Sequence, residues 1–388
     1  MRVAIVTKHD NGNYGASLQA YALSQVVQDL GHQPVTVRYR PRLASSSGLP
    51  GTWRGRWNTV KNQPVLIGSA ITRPVQDLRL SKRLEARRLA ISQFEQEHIP
   101  QSAEFYTTAD QMTSLDSQVD LWLCGSDNIW IKNGFDPAYA GGFVTDGNKI
   151  ASYAAGFAAK DLTEPEAELL LPTIGRMRQI SVREDVGASL LASKLDRPVR
   201  QDLDPTLLLT TTQWQSLAQV PLDCPQHYLF GYFLGKNPFS RQVARQYAKQ
   251  SGLPLVGLPH MYHYNPLDRG LYGTEYYQTG PAQFVGLVQN AQSVLTDSYH
   301  GVVFALLLNK PVVAFQRFLE SQLADLNSRL PSLYRALGID SRTATNPEEA
   351  EQLLAATPNY STMNMQLDHA RADSIAYLER LLSEGERT

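Results

Sequence analysis

The stretch Leu295-Thr296-Asp297-Ser298-Tyr299-His300-Gly301 sets an imidazole where a strand turns into a helix. Residues 293–296 read as a short buried strand and 302–308 as an apolar helix. That helix stops at Asn309-Lys310-Pro311, and 312–315 resume as a strand. The whole is a βαβ unit with His300 at the carboxyl edge of its sheet, beside the first unpaired amides of the helix. With Ser298 as cap, the turn makes a pocket for an anion such as a phosphate, and His300 adds a group that can give a proton. A histidine that only caps or packs beneath the turn has the same sequence signature.

Two further strand ends carry groups of the right type. Asp127, in Gly125-Ser126-Asp127-Asn128, follows a strand over 119–124 and can take a proton from a hydroxyl or cap the turn before Ile129-Trp130. Arg183 ends a strand over 179–183; its guanidinium suits a carboxylate or phosphate, or an ion pair with Glu184 or Asp185. The loop Asp10-Asn11-Gly12-Asn13-Tyr14-Gly15 opens the first helix without being a dinucleotide fingerprint. Its glycine spacing is wrong, and Tyr39-Arg40 stands where an acidic residue belongs. No paired-histidine or clustered-carboxylate motif occurs, so neither a catalytic metal nor a cofactor is expected.

The elements that must hold these groups alternate strand and helix. A strand over 3–7, a helix over 14–30 and a strand over 34–39 lead through an insertion to strands at 121–124 and 150–155. A second alternation starts at 227–234, after a boundary placed in 210–226 where Pro221 and Pro225 interrupt the pattern. With 388 residues and 43% apolar content, two cores are the default. The expected plan is an N-terminal Rossmann-like domain over 1–215, a second over 226–345, and C-terminal helices over 346–388 packing back on the first. The opening strand is too short for a signal peptide and no later run approaches a membrane span, which points to the cytoplasm. Cys124 and Cys224 are too few for a disulfide framework and are read as inert.

The insertion at about 40–100 is strongly basic. Between Arg38 and Arg88 there are 12 basic residues against two acidic ones, in a chain of net charge −1. Trp53 and Trp57 alternate with Arg54 and Arg56 after Ser45-Ser46-Ser47-Gly48, and a basic helix is predicted from Arg79 to about Glu97. The segment suits docking of an anionic acceptor or of membrane headgroups at the inner face; it suits a solvated helix face equally well. No nucleic-acid-binding module accompanies the charge.

Six stretches in register resemble the polysaccharide pyruvyl transferase family: residues 13–23, 125–130, 152–156, 181–185, 204–208 and the histidine motif. The resemblance implies a fold that is α/β and GT-B-like, with two Rossmann-like doubly wound parallel-sheet domains facing a central cleft. It also implies transfer of the enolpyruvyl group of phosphoenolpyruvate onto two sugar hydroxyls as a cyclic ketal, the acceptor being a polysaccharide or lipid-linked precursor. On that basis His300 is the candidate acid, Asp127 the base, and Arg183, Ser298, His300, Gly301 and Lys310 the donor-binding residues. Asn11, Asn13, Tyr14, Gln19 and Asn128 are the acceptor-binding candidates. In several relatives an arginine stands two residues before the histidine; Ser298 here leaves phosphate neutralisation to Arg183, Lys310, Arg317 or Arg329. A nucleotide-sugar glycosyltransferase of the same domain plan, or a non-catalytic saccharide-binding member of the biosynthetic complex, fits the same elements.

Overall fold

Short runs of wholly apolar residues set the architecture, because strands buried on both faces lose the alternation of a half-exposed sheet. In the computed structural model, which describes residues 1–9, 12–41, 65–131, 135–261, 264–318 and 326–384, these runs form two parallel sheets. Side chains of the helix spanning 65–98 are described from Leu80 onward. The expectations on Asn11, Trp53, Arg54, Arg56 and Trp57 lie outside the described residues.

The first sheet contains β1 (Arg2–Val6), β2 (Gln33–Tyr39), β3 (Gln101–Tyr106), β4 (Leu121–Cys124) and β5 (Ile150–Ser152), in the order β3-β2-β1-β4-β5. Every pairing in it is parallel. A small parallel pair, β6 (Ser181–Val182) and β7 (Arg200–Gln201), continues beyond it through bridges from Ala151 to Gln179 and from Ala155 to Val182. The second sheet holds β8 (Leu229–Tyr232), β9 (Leu255–Gly257), β10 (Thr274–Glu275), β11 (Ser293–Thr296), β12 (Val312–Phe315) and β13 (Thr343–Ala344), ordered β10-β9-β8-β11-β12-β13 and again parallel. In each sheet the strand order reverses once, between β1 and β4 and between β8 and β11. Crevices for ligands open at the carboxyl ends of such strands. Asp127 follows β4 and His300 follows β11, so both stand at these switch points.

Helices fill the layers between. α1 (Tyr14–Asp29) starts where the Asn13 side chain accepts from the Gly15 and Ala16 amides, and most of its length is buried. α2 (Val65–His98) is longer than the charge pattern suggested, beginning at Val65 instead of Arg79. α3 (Tyr299–Leu307) is buried at every position, as a helix apolar all round must be. It begins at Tyr299, so His300 lies inside its first turn and not in the loop before it. The last helix, α4 (Tyr360–Glu384), lies against the first domain: the Tyr377 hydroxyl donates to Ser152 O at 3.1 Å, and the Leu203 amide to Ser374 Oγ at 3.2 Å. Tyr14, Leu18, Phe284 and Leu382 belong to one apolar cluster that runs through both domains.

Candidate functional site

The site is built outward from a buried ion network. Arg183, one residue past β6, is held in place by all three of its guanidinium nitrogens. Nε donates to Glu184 Oε1 at 3.0 Å, Nη1 to Asp204 Oδ2 at 2.8 Å and Nη2 to Asn128 Oδ1 at 3.0 Å. Its expected place as a fork open to a donor carboxylate is therefore corrected: the fork is occupied inside the protein. The partners are Glu184 and Asp204, while Asp185 turns away to Arg335 and Ser332.

Asp204 joins this network to His300. Its Oδ1 accepts from the Thr206 hydroxyl at 2.7 Å and the Thr206 amide at 3.1 Å, which fixes the carboxylate at the start of a short turn. His300 Nε2 lies 3.4 Å from Asp204 Oδ2, within ion-pairing reach but longer than a well-formed hydrogen bond. Burial works against ionisation of Asp204, yet His300, Arg183 and Thr206 outweigh it and hold the carboxyl well below the usual range. The other face of the imidazole meets the first domain: a Cβ on Gly15 would sit 2.1 Å from Nδ1, so only glycine at the start of α1 lets the ring lie there.

Tyr299 separates two cations. Its ring faces Arg183 at 4.5 Å and Arg329 at 5.8 Å. Arg329 opens a helix, α5 (Arg329–Ala336), and is only 8% exposed. Its Nε donates to Leu326 O at 2.7 Å, and it forms no ion pair among the described residues. Burial first, and then the like charges of Arg183 and Arg317, push its pKa down to about 10. A buried guanidinium crowded by two others is a ready anion ligand. It borders a cavity of about 230 Å³ that Asp297, Tyr299, Arg317 and Asn327 also line.

Asp127 faces the same cluster, its charge acting on both Arg183 and Arg329. It is half-buried, with Oδ1 accepting from the Asn128 amide at 2.7 Å. Lys8, past the end of β1, donates to the Asn128 carbonyl at 2.5 Å; burial lowers its pKa against the pull of Asp127 and Asp136. Ser298 caps α3 by accepting from the Gly301 amide at 3.3 Å, so neither that hydroxyl oxygen nor that amide is simply open to a ligand. The Tyr299 and His300 amides precede the helix's own hydrogen bonds and are the ones at the site's edge.

Four other expectations are corrected. Lys310 cannot join the site: it lies past the far end of α3, roughly 14 Å along the helix axis from His300, at the amino edge of β12. Tyr14 is fully buried, its hydroxyl 2.7 Å from Thr279 Oγ1 and its ring stacked on Phe284 at 5.4 Å, so it joins the domains and does not meet a sugar. Gln19 is also buried, and its amide donates to Thr7 Oγ1, Lys8 O and Ala16 O, bracing the loop from beneath. Asn13 spends its side-chain oxygen on the cap of α1. Sequence reasoning missed Glu184, Asp204 and Tyr299 as site residues. Each stood inside a quoted motif, but nothing in a linear pattern says that three motifs meet at one guanidinium.

Residues 13–317 match the sequence model of the family described as polysaccharide pyruvyl transferase. No curated protein matches the chain. Among solved structures it is similar to the UDP-GlcNAc 2-epimerase from Methanocaldococcus jannaschii, with 10% identity, a TM-score of 0.52, and 92% of this chain and 93% of that chain covered. It is also similar to S. aureus MnaA in its UDP co-structure, with 13% identity, a TM-score of 0.53, and 98% and 96% covered. These likenesses speak for the fold alone: α/β, with two Rossmann-like domains arranged in the GT-B manner.

Proposed function

The chain belongs to the polysaccharide pyruvyl transferase family, and we propose that it moves the enolpyruvyl group of phosphoenolpyruvate onto two hydroxyls of a saccharide, forming a cyclic ketal and releasing phosphate. The observation that carries the donor assignment is Arg329, a buried cation with no carboxylate partner among the described residues, one tyrosine ring away from Arg183, that ring standing 5.2 Å from the imidazole of His300. A trianionic donor answers that excess of positive charge. In this reading Arg329 and Arg317 hold the phosphate, aided by the Tyr299 and His300 amides.

The chemistry then divides among few groups. His300, as imidazolium, keeps Nε2–H toward Asp204 and delivers the Nδ1 proton to C3 of the donor, leaving an oxocarbenium-like centre at C2. One sugar hydroxyl adds at C2 and gives its proton to Asp127. The C2–O bond to phosphate breaks with its electron pair, and the second hydroxyl closes the ring. The two hydroxyl protons end, in balance, one on the new methyl group and one on phosphate. Arg183 positions: it fixes Asp204, which orients the imidazole. A lipid-diphosphate-linked acceptor and contact with anionic lipid through the exposed Lys82 and Arg88 of α2 are part of the same proposal.

Calorimetric titration tests the donor. Phosphoenolpyruvate should bind the wild type, and Arg329→Gln should weaken it by about tenfold or more, the scale of a lost charge-assisted contact. Binding of UDP with none of phosphoenolpyruvate would replace this reading with nucleotide-sugar chemistry.

A further inference from the structure

A second cavity, of about 340 Å³, opens between α2 and the carboxyl edge of the second sheet, at the ends of β9 and β10. Its volume is in the range of small-ligand sites. Strand spacing puts it roughly 10 Å from His300 along that edge, since β9 is two strands from β11. It is also wired to the histidine turn. Asp268, in its wall, accepts from Arg241 Nε at 3.0 Å, and Arg241 Nη1 lies 3.7 Å from Asp297 Oδ2, three residues before His300.

The lining is mixed in a way that selects a ligand. Tyr277 presents a ring held between Arg83 and Arg87, each guanidinium 5.3 Å from its centroid. Arg83 and Glu275 stand exposed at the mouth. Asp268 is 6% exposed, and its Oδ2 has no hydrogen-bond partner among the described residues. A buried carboxylate oxygen left unpaired is costly, and a donor from a ligand would satisfy it. The two carboxylates offset the two guanidiniums of the lining, Arg83 and Arg269, so the cavity carries no excess positive charge to draw a phosphate. A neutral polyhydroxylated ring offers donors to Asp268 and Glu275 and acceptors to Arg83.

We infer that this cavity is a saccharide subsite, holding a neutral sugar unit of the acceptor one residue or more away from the unit that reacts at His300. The inference rests on the pyruvyl-transfer reading for its occupant and on the cavity for its place.

The test uses the full chain, a probe panel of lactose, cellobiose, methyl mannoside and N-acetylglucosamine, with UDP as comparison, and saturation-transfer NMR backed by calorimetry. At least one sugar should bind the wild type. Arg83→Gln and Glu275→Gln, both at exposed positions and so tolerable to the fold, should each weaken it by about tenfold, the scale of a lost hydrogen bond to a charged group. Phosphoenolpyruvate affinity, measured on the same variants, should not move. No sugar binding, sugar binding indifferent to both variants, or UDP binding lost with them would overturn the subsite. Sugar binding that follows the variants in a protein that binds no phosphoenolpyruvate would support the subsite while removing the transfer reading.

Discussion

At the scale of single residues the account turns on which groups the fold has already spent. Arg183 is spent on Glu184, Asp204 and Asn128, whereas Arg329 is not paired with any described carboxylate. Arg183→Lys should therefore act on stability, lowering the urea midpoint because a single ammonium cannot serve three acceptors, and leave phosphoenolpyruvate affinity near wild type. A tenfold loss of donor affinity at unchanged stability would return Arg183 to direct contact. His300→Ala should cut turnover by about a hundredfold to ten-thousandfold, the usual worth of a general acid, with the melting temperature little changed. His300→Asn should keep donor binding better than turnover. Gly15→Ala approaches the same imidazole from the other domain. Its Cβ would fall 2.1 Å from Nδ1, so the ring must shift, and turnover should drop more than donor affinity. An active, folded His300→Ala would remove the residue from the chemistry.

At the scale of elements, α5 is the piece that carries Arg329, and one ion pair ties it to the first domain. Asp185 accepts from Arg335 Nε at 2.6 Å, with Ser332 as a further donor, and chiefly the Arg335 contact holds its pKa down at about 2. A depressed carboxylate stabilises the fold above its unfolded pKa near 4, and that contribution disappears as pH falls from about 4 to 2. Because Arg335 is largely exposed, the gain should be about 1 kcal/mol or less. Urea midpoints should thus separate wild type from Asp185→Asn at pH 7, by about half as much at pH 3, and converge near pH 2; an equal gap at pH 7 and pH 2 would contradict the pairing. The elements themselves were mostly legible, since β1, β4, β8, β11 and β12 are apolar runs between turn residues and need no tertiary knowledge. β3 was not: three of its six positions face solvent and it pairs at an edge. β10 and β13 are two residues long, too short for any periodicity. The site was legible as motifs but not as a network, for Asp204 and Arg329 meet Arg183 and Tyr299 only after both domains have closed. Tyr14 and Gln19 misled because a loop before a helix suggests recognition, while burial assigned both to the interior.

At the scale of the whole molecule, the two domains are fastened by a cation that composition presented as surface charge. Arg87 is 1% exposed and donates across the boundary to the carbonyls of Pro259 at 2.7 Å, Tyr276 at 2.9 Å and Tyr277 at 3.3 Å. Arg87→Met would leave these buried acceptors unpaired and should cost at least about 3 kcal/mol. A near-neutral urea midpoint would show that the domains close without it. In the proposed docking to lipid or acceptor the charge would come from exposed neighbours such as Lys82 and Arg88, so Lys82→Glu with Arg88→Glu should weaken binding to anionic vesicles in a salt-dependent manner and spare the melting temperature. No helix among the described residues is long and apolar enough to cross a membrane. All of this serves one claim, that the cleft transfers the pyruvyl group of phosphoenolpyruvate to a sugar. The direct measurement is incubation of the protein with carbon-labelled phosphoenolpyruvate and lipid-linked oligosaccharides, following label and phosphate together. The account predicts saccharide-bound label as a ketal, one phosphate released for each, and neither with His300→Ala. Phosphate release without labelled saccharide, or label transfer undiminished in His300→Ala, would contradict it.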